Sequence, residues 1–566
     1  MKLFLLVPLF VMTMYAQTPE AVRDQARSMV ISQFGIVATS QTLASEAGAQ
    51  ILEAGGNAVD AAIAANAVLG LVEPNSNGMG GDLFAIVYEA KTGKLHGLNA
   101  SGWSPSGLTI EFLQARGIDK MPHLGIYSAT VPGCVAGWDE LRKRFGTMPF
   151  SRLLAAATYY ADQGFPVTEI ISSSWRGSKA VEFLSAHPNS KATYLPGGTG
   201  PKTGDIFRNP DLARSFRLIA AKGRNGFYRG SVADAILSIS KEHGGTHTAS
   251  DLSEFQPQWV EPIMTTYRGW KVYELPPNGQ GIAALSMLNL MERFPLQEYG
   301  HNSAKALHVM IEAKKLAYAD MLRYVGDPKF SKIPVKQMLS KALAAERAKL
   351  IQADKASCQV APAELKMMTR LSGGDTIYMS AIDKDGNIVS LIQSNYAGFG
   401  SGLVPPKTGF MLQNRGSLFT LERGHPNALE PRKRPLHTII PAFMEKDGVR
   451  IGFGIMGGWN QAQAHAQFVS KVVDFGMSVQ AALETPRFTK LTFDGCDVAI
   501  ENRISKSIRK QLANLGHEVE ALPPYSGSVG GGQAVMRDTQ GVNYAGSDPR
   551  KDGAAVPQGP PVFGKK

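Results

Sequence analysis

The sequence has few cysteines and a low fraction of charged residues for its length. Three of its 566 residues are cysteine, 19% are charged and 44% are hydrophobic. This composition is typical of a globular protein rather than a disordered one. The cysteines, Cys134, Cys358 and Cys496, lack metal-site spacing. Their number allows at most one disulfide and requires none, which excludes a disulfide framework.

Long apolar segments are also scarce. Residues 3–12 form a short apolar run after Met1 and Lys2, too short to span a bilayer. We predict a secretory signal peptide over residues 1–16, cut after Ala16, and therefore a periplasmic or secreted protein with no membrane span. The alternative is a buried N-terminal helix, which the polar residues 17–20 disfavour.

Positive charge is in excess but is not concentrated. The chain has 59 Lys and Arg against 48 Asp and Glu, a net charge of +11. The single dense cluster is Arg432, Lys433 and Arg434, and the other cations are scattered. We therefore expect no nucleic-acid partner.

Residues 375–396 contain two β-branched and aromatic runs on either side of Asp385 and Gly386. This pattern predicts a β-hairpin with a tight Asp-Gly turn. In that register Lys384 lies opposite Asn387 and Thr376 lies opposite Asn395, with an error of about one residue. Ser394 and Asn395 then return to the start of the first strand.

Thr376 follows Gly373, Gly374 and Asp375 at the head of the first predicted strand. One interpretation is a plain loop that enters a strand. The other is autocleavage before Thr376, because a freed α-amine has a pKa near neutrality and can activate the Thr hydroxyl as a nucleophile. Residues 355–371, which are fairly polar, would supply an accessible approach to the cut.

Several motifs favour the second interpretation, autocleavage before Thr376. Gly374-Asp375-Thr376, Gln393-Ser394-Asn395-Tyr396 and the Gly-rich residues 398–402 resemble the start of the small subunit of the γ-glutamyltransferase family. Residues 55–62, 80–82 and 129–138 resemble its large subunit, and the similarity continues through residues 409–416, 434–441, 454–458 and 546–553. The resemblance spans nearly all of the chain after the signal peptide.

The resemblance implies an N-terminal-nucleophile hydrolase with an α+β fold of four layers, αββα, in which two antiparallel sheets lie between helices. It also implies one precursor cut between Asp375 and Thr376 into intertwined chains: a large subunit over residues 17–375 and a small subunit over residues 376–566. The expected partners are a small-molecule γ-glutamyl or related acyl donor, an amine or water acceptor, and the protein's own second chain. Neither a cofactor nor a metal is expected.

The resemblance also assigns roles to individual residues. Thr376 matches the nucleophile, Ser394 the hydroxyl that binds the catalytic amine, and Gly457 and Gly458 the pair whose backbone N-H groups stabilise the oxyanion. The substrate-binding candidates are Tyr396, Asn414, Arg415, His437 and Thr438. His437 is a candidate titrating group, although a hydrogen-bonded structural histidine is more common.

The substrate pocket departs from the family pattern. Leu418 stands where the best-known members place an acid for the donor's α-amine, and Arg415 replaces a neighbouring amide. His437 and Thr438 align with paired serines, and Ser101 replaces an Arg that clamps the α-carboxylate. Arg415 can bind a carboxylate through two hydrogen bonds, or it can be satisfied structurally. The loop over residues 420–433 is shorter than the lid that covers the pocket in some members of the family, so the resemblance implies an open site in which hydrolysis competes with transfer.

These observations favour γ-glutamyl transfer or hydrolysis on glutathione-like donors. A first alternative is a cephalosporin-type or glutaryl-type amide acylase, because the altered pocket lacks the anion for an α-amine. A second is an uncleaved, non-catalytic binding protein, which the joint presence of Thr376, Ser394, Gly457 and Gly458 disfavours.

Short-range patterns predict further elements. Residues 40–56 and the alanine-rich residues 57–71 are typical of helices, the second buried on most sides. Residues 83–89 predict a strand. Residues 150–375 are interpreted as mostly helical.

Overall fold

A computed structural model describes residues 25–363 and 375–563, and the predicted signal peptide lies outside this part. The strands are β1 (Val30–Ser32), β2 (Ile36–Thr39), β3 (Asp82–Glu89), β4 (Lys94–Ala100), β5 (Phe165–Pro166), β6 (Ile206–Phe207), β7 (Gln258–Val260), β8 (Ile263–Tyr267), β9 (Trp270–Glu274), β10 (Asp375–Ile382), β11 (Ile388–Tyr396), β12 (Ala442–Lys446), β13 (Val449–Ile455), β14 (Phe488–Thr489), β15 (Asp497–Glu501), β16 (Glu518–Leu522), β17 (Gly532–Arg537), β18 (Asn543–Ser547) and β19 (Ala554–Pro557).

The helices of the described residues are α1 (Thr42–Glu53), α2 (Ala58–Val72), α3 (Ile110–Gln114), α4 (Cys134–Phe145), α5 (Phe150–Leu153), α6 (Ala155–Gln163), α7 (Glu169–Arg176), α8 (Ser178–Ser185), α9 (Pro188–Tyr194), α10 (Pro210–Lys222), α11 (Asn225–Tyr228), α12 (Ser231–Glu242), α13 (Ala249–Ser253), α14 (Gly281–Met291), α15 (Leu296–Tyr299), α16 (Ala304–Tyr324), α17 (Val335–Met338), α18 (Lys341–Ala348), α19 (Gln461–Val473), α20 (Val479–Glu484) and α21 (Lys506–Asn514). None of them is both long and apolar enough to cross a membrane.

Two seven-stranded antiparallel sheets form the centre of the molecule. Their strand orders are β1-β18-β17-β13-β12-β9-β8 and β19-β2-β10-β11-β3-β4-β7. Strands β10 and β11 of the second sheet pack on β13 and β17 of the first. Phe84, Tyr378, Ile392, Phe443 and Val535 are among the buried side chains of the core between the sheets.

Helices cover the outer face of each sheet. Helices α1 and α2 pack on the second sheet, whereas α14, α19 and α20 pack on the first. Helix α2 is alanine-rich and buried along nearly its whole length, and Asn57 begins it with a capping box to Asp60. The predicted α+β fold with four layers is confirmed.

The hairpin β10–β11 is present, but its turn is longer than predicted. The last paired residues are Ile382 and Ile388, so the predicted pairing of Lys384 with Asn387 is wrong by one residue. The Asp383 carboxylate accepts hydrogen bonds from the N-H groups of Asn387 at 2.9 Å and Ala58 at 3.1 Å. These contacts, one of them with helix α2, stabilise a five-residue loop over residues 383–387.

Strand β11 contains an extra residue at the far end of the hairpin. Asp375 pairs with Tyr396 and Ile377 pairs with Gln393, so the single residue Thr376 lies opposite both Ser394 and Asn395. Such a bulge interrupts the ladder and redirects nearby side chains. The predicted position of Thr376 is therefore correct within its stated error.

The other short-range predictions agree with the structure to within a few residues. Helices α1 and α2 and strand β3 occupy the predicted segments. The segment from residue 150 to residue 363 is mostly helical, as predicted. However, it also contributes β7, β8 and β9 to the two central sheets.

Candidate active site

Thr376 lies near the start of β10, a central strand of the second sheet, and is 2% exposed. Its hydroxyl donates a hydrogen bond to Ser394 Oγ at 3.2 Å, and Gln461 Nε2 donates to Thr376 Oγ1 at 3.5 Å. Ser394 Oγ in turn accepts from the Tyr396 N-H at 2.7 Å. The hydroxyl therefore lies next to the Asp375–Thr376 peptide bond within a polar network.

Gly457 and Gly458 form a sharp turn between β13 and α19. Their φ angles are +126° and +57°, a region that favours glycine. Within residues 25–363 and 375–563, neither of their N-H groups donates a hydrogen bond. A turn with two such N-H groups can stabilise an oxyanion.

Gln280 and Gln461 hold this turn in position relative to Thr376. Gln280 Nε2 donates to the Gly458 carbonyl at 2.8 Å and to the Thr438 carbonyl at 2.5 Å. Gln461 begins helix α19 immediately after the turn, and its amide contacts the Thr376 hydroxyl. The glycine pair is thus a short distance along the chain from a residue that touches the candidate nucleophile.

Arg415 is a fully buried cation beside this network. Its Nη1 donates to Thr438 Oγ1 at 2.6 Å, and its guanidinium lies 4.5 Å from the centre of the Tyr396 ring. Nε and Nη2 make no hydrogen bond with any described residue. Burial lowers the pKa of Arg415 to about 10, so the side chain is cationic at neutral pH. Two donors of a buried cation therefore lack a hydrogen-bond acceptor among the described residues.

Asp82 completes the charged part of the site. It lies opposite Ser394 in the sheet, and its Oδ2 is 3.9 Å from Arg415 Nε. The Gly102 N-H donates to Asp82 Oδ1 at 2.8 Å. Burial raises the pKa of Asp82 to about 7, against the opposing effect of Arg415. The carboxyl therefore changes its charge close to neutral pH.

His437 is a buried neutral histidine. Its Nε2 donates to Asp82 Oδ2 at 2.9 Å, and its Nδ1 accepts from the Ile439 N-H at 3.3 Å. Burial and the neighbouring Arg415 keep the pKa of His437 well below its usual value. This geometry favours the hydrogen-bonded structural role over the titrating one.

Asn414, Leu418 and Ser101, the other positions singled out in the sequence, all contact other parts of the protein. The Asn414 side chain accepts from the Ala397 N-H at 3.0 Å and donates to the His123 carbonyl at 2.9 Å. Leu418 is buried in an apolar cluster. Ser101 Oγ accepts from Asn278 Nδ2 at 3.2 Å.

The structure thus brings together most of the predicted site: Thr376, Ser394, Tyr396, Arg415, His437, Thr438, Gly457 and Gly458. Their catalytic and binding roles stay predictions, and the Asp375 side chain lies outside the described atoms. Sequence reasoning did not select Asp82, Gln280 or Gln461 as site residues. Asp82 had a usable signal, since it ends the Gly-Gly-Asp motif at a strand start. Gln280 and Gln461 are distant in sequence from Thr376, and no motif around them marked them as site residues.

One cluster outside this site has the geometry of a metal centre. The ligand atoms of His308, Glu312 and His517 all lie within 4.8 Å of one another. However, the Lys315 ammonium is 2.5 Å from Glu312, and His308 Nδ1 is hydrogen-bonded to His517 Nε2 at 2.8 Å. A metal would have to displace a cation and break this bond, so the cluster is better explained as a buried hydrogen-bond network.

Comparisons with known proteins agree on one family. The sequence profile described as Gamma-glutamyltranspeptidase matches residues 44–558. The chain is 37% identical over 534 residues to the Glutathione hydrolase-like YwrD proenzyme of Bacillus subtilis, which covers 93% of this chain and 99% of that protein. It is 32% identical over 536 residues to the Oxamate amidohydrolase proenzyme of Klebsiella pneumoniae, with 93% and 99% coverage.

A solved structure extends the similarity to the fold. The cephalosporin acylase from Bacillus halodurans superposes with a TM-score of 0.88 and is 41% identical in sequence. The match covers 96% of this chain and 99% of that one. The similarity therefore extends over both sides of the predicted cut before Thr376.

Proposed function

The chain belongs to the γ-glutamyltranspeptidase family of hydrolases and acyltransferases, and from that premise we propose that it is an autoprocessed amidase whose nucleophile is Thr376. The main candidate reaction is hydrolysis or transfer of a γ-glutamyl group. The observation that carries the proposal is the Thr376 hydroxyl, 3.2 Å from Ser394 Oγ and directly after the Asp375–Thr376 peptide bond.

Autocleavage begins with attack of Thr376 Oγ1 on the carbonyl carbon of Asp375. The C-N bond breaks as the nitrogen takes up a proton, which leaves an ester between Asp375 and the Thr376 hydroxyl. Water then hydrolyses this ester and releases a new carboxyl end and a free Thr376 α-amine. The bulge opposite Thr376 frees this position from the regular ladder.

In turnover the free amine takes the proton from Thr376 Oγ1 as the oxygen attacks the donor's amide carbonyl. The Gly457 and Gly458 N-H groups stabilise the oxyanion, and the leaving amine departs with the proton. Water or an acceptor amine then attacks the Thr376 acyl ester. Ser394 holds the catalytic amine through its Oγ.

The pair of Asp82 and Arg415 suits the zwitterionic end of a γ-glutamyl donor. Nε and Nη2 of Arg415 have no hydrogen-bond acceptor among the described residues and suit the α-carboxylate. Asp82 Oδ2 lies 3.9 Å from Arg415 Nε. When ionised, Asp82 supplies an anion for the α-ammonium, a role that an acidic residue at the position of Leu418 has in the best-known members. This pair is the main reason to retain the γ-glutamyl candidate despite the altered pocket.

A second candidate is an acylase for acyl groups that carry a carboxylate but no α-amine. Below about pH 7 the raised pKa of Asp82 leaves it neutral. Arg415 then faces a donor carboxylate without a competing anion, and no charge is available for an α-ammonium. The names of two relatives, an oxamate amidohydrolase and a cephalosporin acylase, are compatible with this chemistry.

The two candidates predict different pH dependences. We expect the ratio of kcat/KM for γ-glutamyl p-nitroanilide to kcat/KM for glutaryl p-nitroanilide to rise as the pH increases through about 7. If ionisation of Asp82 favours the α-ammonium by one pKa unit, the ratio changes about tenfold. Because both substrates use the same nucleophile, titration of the Thr376 amine cancels in the ratio.

Asp82→Asn is the matched variant, since an amide of similar size does not titrate in this range. In this variant we expect the ratio of the two kcat/KM values to stay low and not to change with pH. A ratio in the wild-type protein that does not change between pH 6 and pH 8 would contradict the role of Asp82. If the protein turned over neither anilide, both proposed donor classes would be contradicted. Autocleavage before Thr376 is tested separately.

The cellular location remains part of the proposal. We infer export across a membrane from the signal-peptide pattern of residues 1–16. An exported enzyme would meet extracellular or periplasmic amides, with water or free amines as acceptors. N-terminal sequencing of protein from the periplasmic or secreted fraction is expected to give a large chain that begins near Gln17.

A further inference from the structure

We propose that a disulfide between Cys358 and Cys496 joins the two chains that autocleavage produces. This inference rests on the proposed cut between Asp375 and Thr376. Cys358 lies on the N-terminal side of that cut and Cys496 on the C-terminal side, 138 residues apart in sequence. In the structure their sulfurs are bonded, and the two Cα atoms are 4.7 Å apart. The bond is therefore internal in the precursor and lies between chains in the product.

The two cysteine segments are also aligned by contacts that do not involve sulfur. The Gly495 N-H donates to the Cys358 carbonyl at 2.8 Å, and the Ala356 N-H donates to the Leu515 carbonyl at 2.7 Å. The Glu518 N-H donates to the Cys496 carbonyl at 2.8 Å. The first two of these hydrogen bonds join the segments on either side of the proposed cut without using the sulfurs.

A buried polar cluster anchors the same segment to helix α16. The Ser357 carbonyl accepts from Lys315 Nζ at 2.7 Å, and the Ser357 N-H donates to Glu312 Oε2 at 3.3 Å. His308, on the same helix, is bonded to the Gln352 carbonyl at 2.7 Å and to His517 at 2.8 Å. Residues 352–358 are therefore held between α16 and the segment that follows α21.

The third cysteine does not compete for either partner. Cys134 is fully buried at the start of helix α4 and is a free thiol. Its Sγ contacts Asn66 Oδ1 at 3.9 Å. The pairing of Cys358 with Cys496 is thus the single disulfide that the arrangement of the three cysteines allows.

Formation of the bond is an oxidation and requires an acceptor. A small-molecule or protein disulfide is the oxidant: two exchange steps transfer two electrons to it, release its two sulfurs as thiols and leave Cys358 bonded to Cys496. Such oxidants are present in the compartments that exported proteins reach. The inference therefore agrees with the proposed export.

The consequence is that the cleaved enzyme cannot separate by dilution. A covalent link keeps the second chain at a high effective concentration whatever the total protein concentration. It also keeps the new carboxyl-terminal segment of the large chain, which begins after Cys358, attached to the small chain.

Electrophoresis in denaturant tests the inference. Purified protein is incubated with oxidised glutathione, blocked with N-ethylmaleimide and run with and without reductant. We expect one band of full-chain mass without reductant and two bands with it. Cys496→Ser is expected to give two bands in both lanes, and the matched control Cys134→Ser is expected to behave like the wild type.

The outcomes separate the two proposals. Two wild-type bands without reductant would overturn the disulfide and leave the cut intact. One band even with reductant would overturn the cut and, with it, a bond between chains. If Cys496→Ser does not fold, tryptic mapping of the unreduced wild-type protein decides: peptide 356–366 linked to peptide 491–503 supports the inference, and two alkylated peptides overturn it.

Discussion

Replacement of Thr376 by alanine is expected to leave one uncut chain and to lower amide turnover by at least about 10⁴-fold. The variant loses both the hydroxyl that attacks the Asp375 carbonyl and the nucleophile of the second reaction. The side-chain hydrogen bonds that it removes, to Ser394 and Gln461, are few. We therefore expect the variant to fold, as measured by its thermal unfolding.

Thr376→Ser is the matched control because it keeps a hydroxyl at the same position. We expect this variant to be cut, though more slowly, and to retain measurable turnover. Ser380, a buried hydroxyl residue on the same strand, supplies a second control. Ser380→Ala should be cut and active. Turnover of Thr376→Ala close to that of the wild type would contradict the assignment of the nucleophile.

Replacement of Arg415 by methionine is expected to reduce kcat/KM about 10²-fold for donors that carry a carboxylate, both γ-glutamyl and glutaryl. Loss of one partner from a buried charged hydrogen bond costs about 2–5 kcal/mol. Methionine is an unbranched side chain that fills much of the same space, but it removes the guanidinium from above the Tyr396 ring. Loss of the Arg415 cation, which opposes the effect of burial, would raise the pKa of Asp82 further and leave this carboxyl neutral beside the methionine at pH 7.

A donor without a carboxylate distinguishes loss of carboxylate binding by Arg415 from a general disturbance of the site. Pentanoyl p-nitroanilide has the same chain length as the glutaryl compound but no carboxylate, so its turnover should be unchanged in Arg415→Met. Arg415→Lys keeps the charge but not the planar fork, and we expect an intermediate loss. An equal loss for all three donors would mean that Arg415 acts only through the structure of the site.

The sequence predicted those parts of the molecule that depend on neighbouring residues. Helices α1 and α2, strand β3 and the hairpin β10–β11 follow from local patterns and turn residues. Thr376 was expected opposite Asn395 to within about one residue, because counting along two paired strands needs no information from the rest of the fold. The family resemblance added the layering and the glycine turn.

The parts that could not be predicted depend on contacts between distant residues. The hairpin loop is longer because Asp383 also binds the Ala58 N-H at the start of α2. Strand β9 pairs with β12, far along the chain, and β8 joins the sheet by pairing with β9. The raised pKa of Asp82 results from burial by several elements, which a sequence motif does not reveal.

Substitutions in the pocket were identified from sequence, but their effects were not. The sequence showed that Leu418 replaces an acidic residue, but only the folded chain shows that its surroundings are apolar. Likewise, the availability of Arg415 depends on which of its donors are already used. Its Nη1 binds Thr438, whereas Nε and Nη2 have no hydrogen-bond partner among the described residues.

Cleavage before Thr376 is tested by the intact mass of the reduced, denatured wild-type protein, combined with N-terminal sequencing of each species. We expect two fragments, the smaller of which begins with Thr376-Ile377-Tyr378-Met379. A single chain that retains the Asp375–Thr376 bond, or a fragment that begins at another residue, would contradict this expectation.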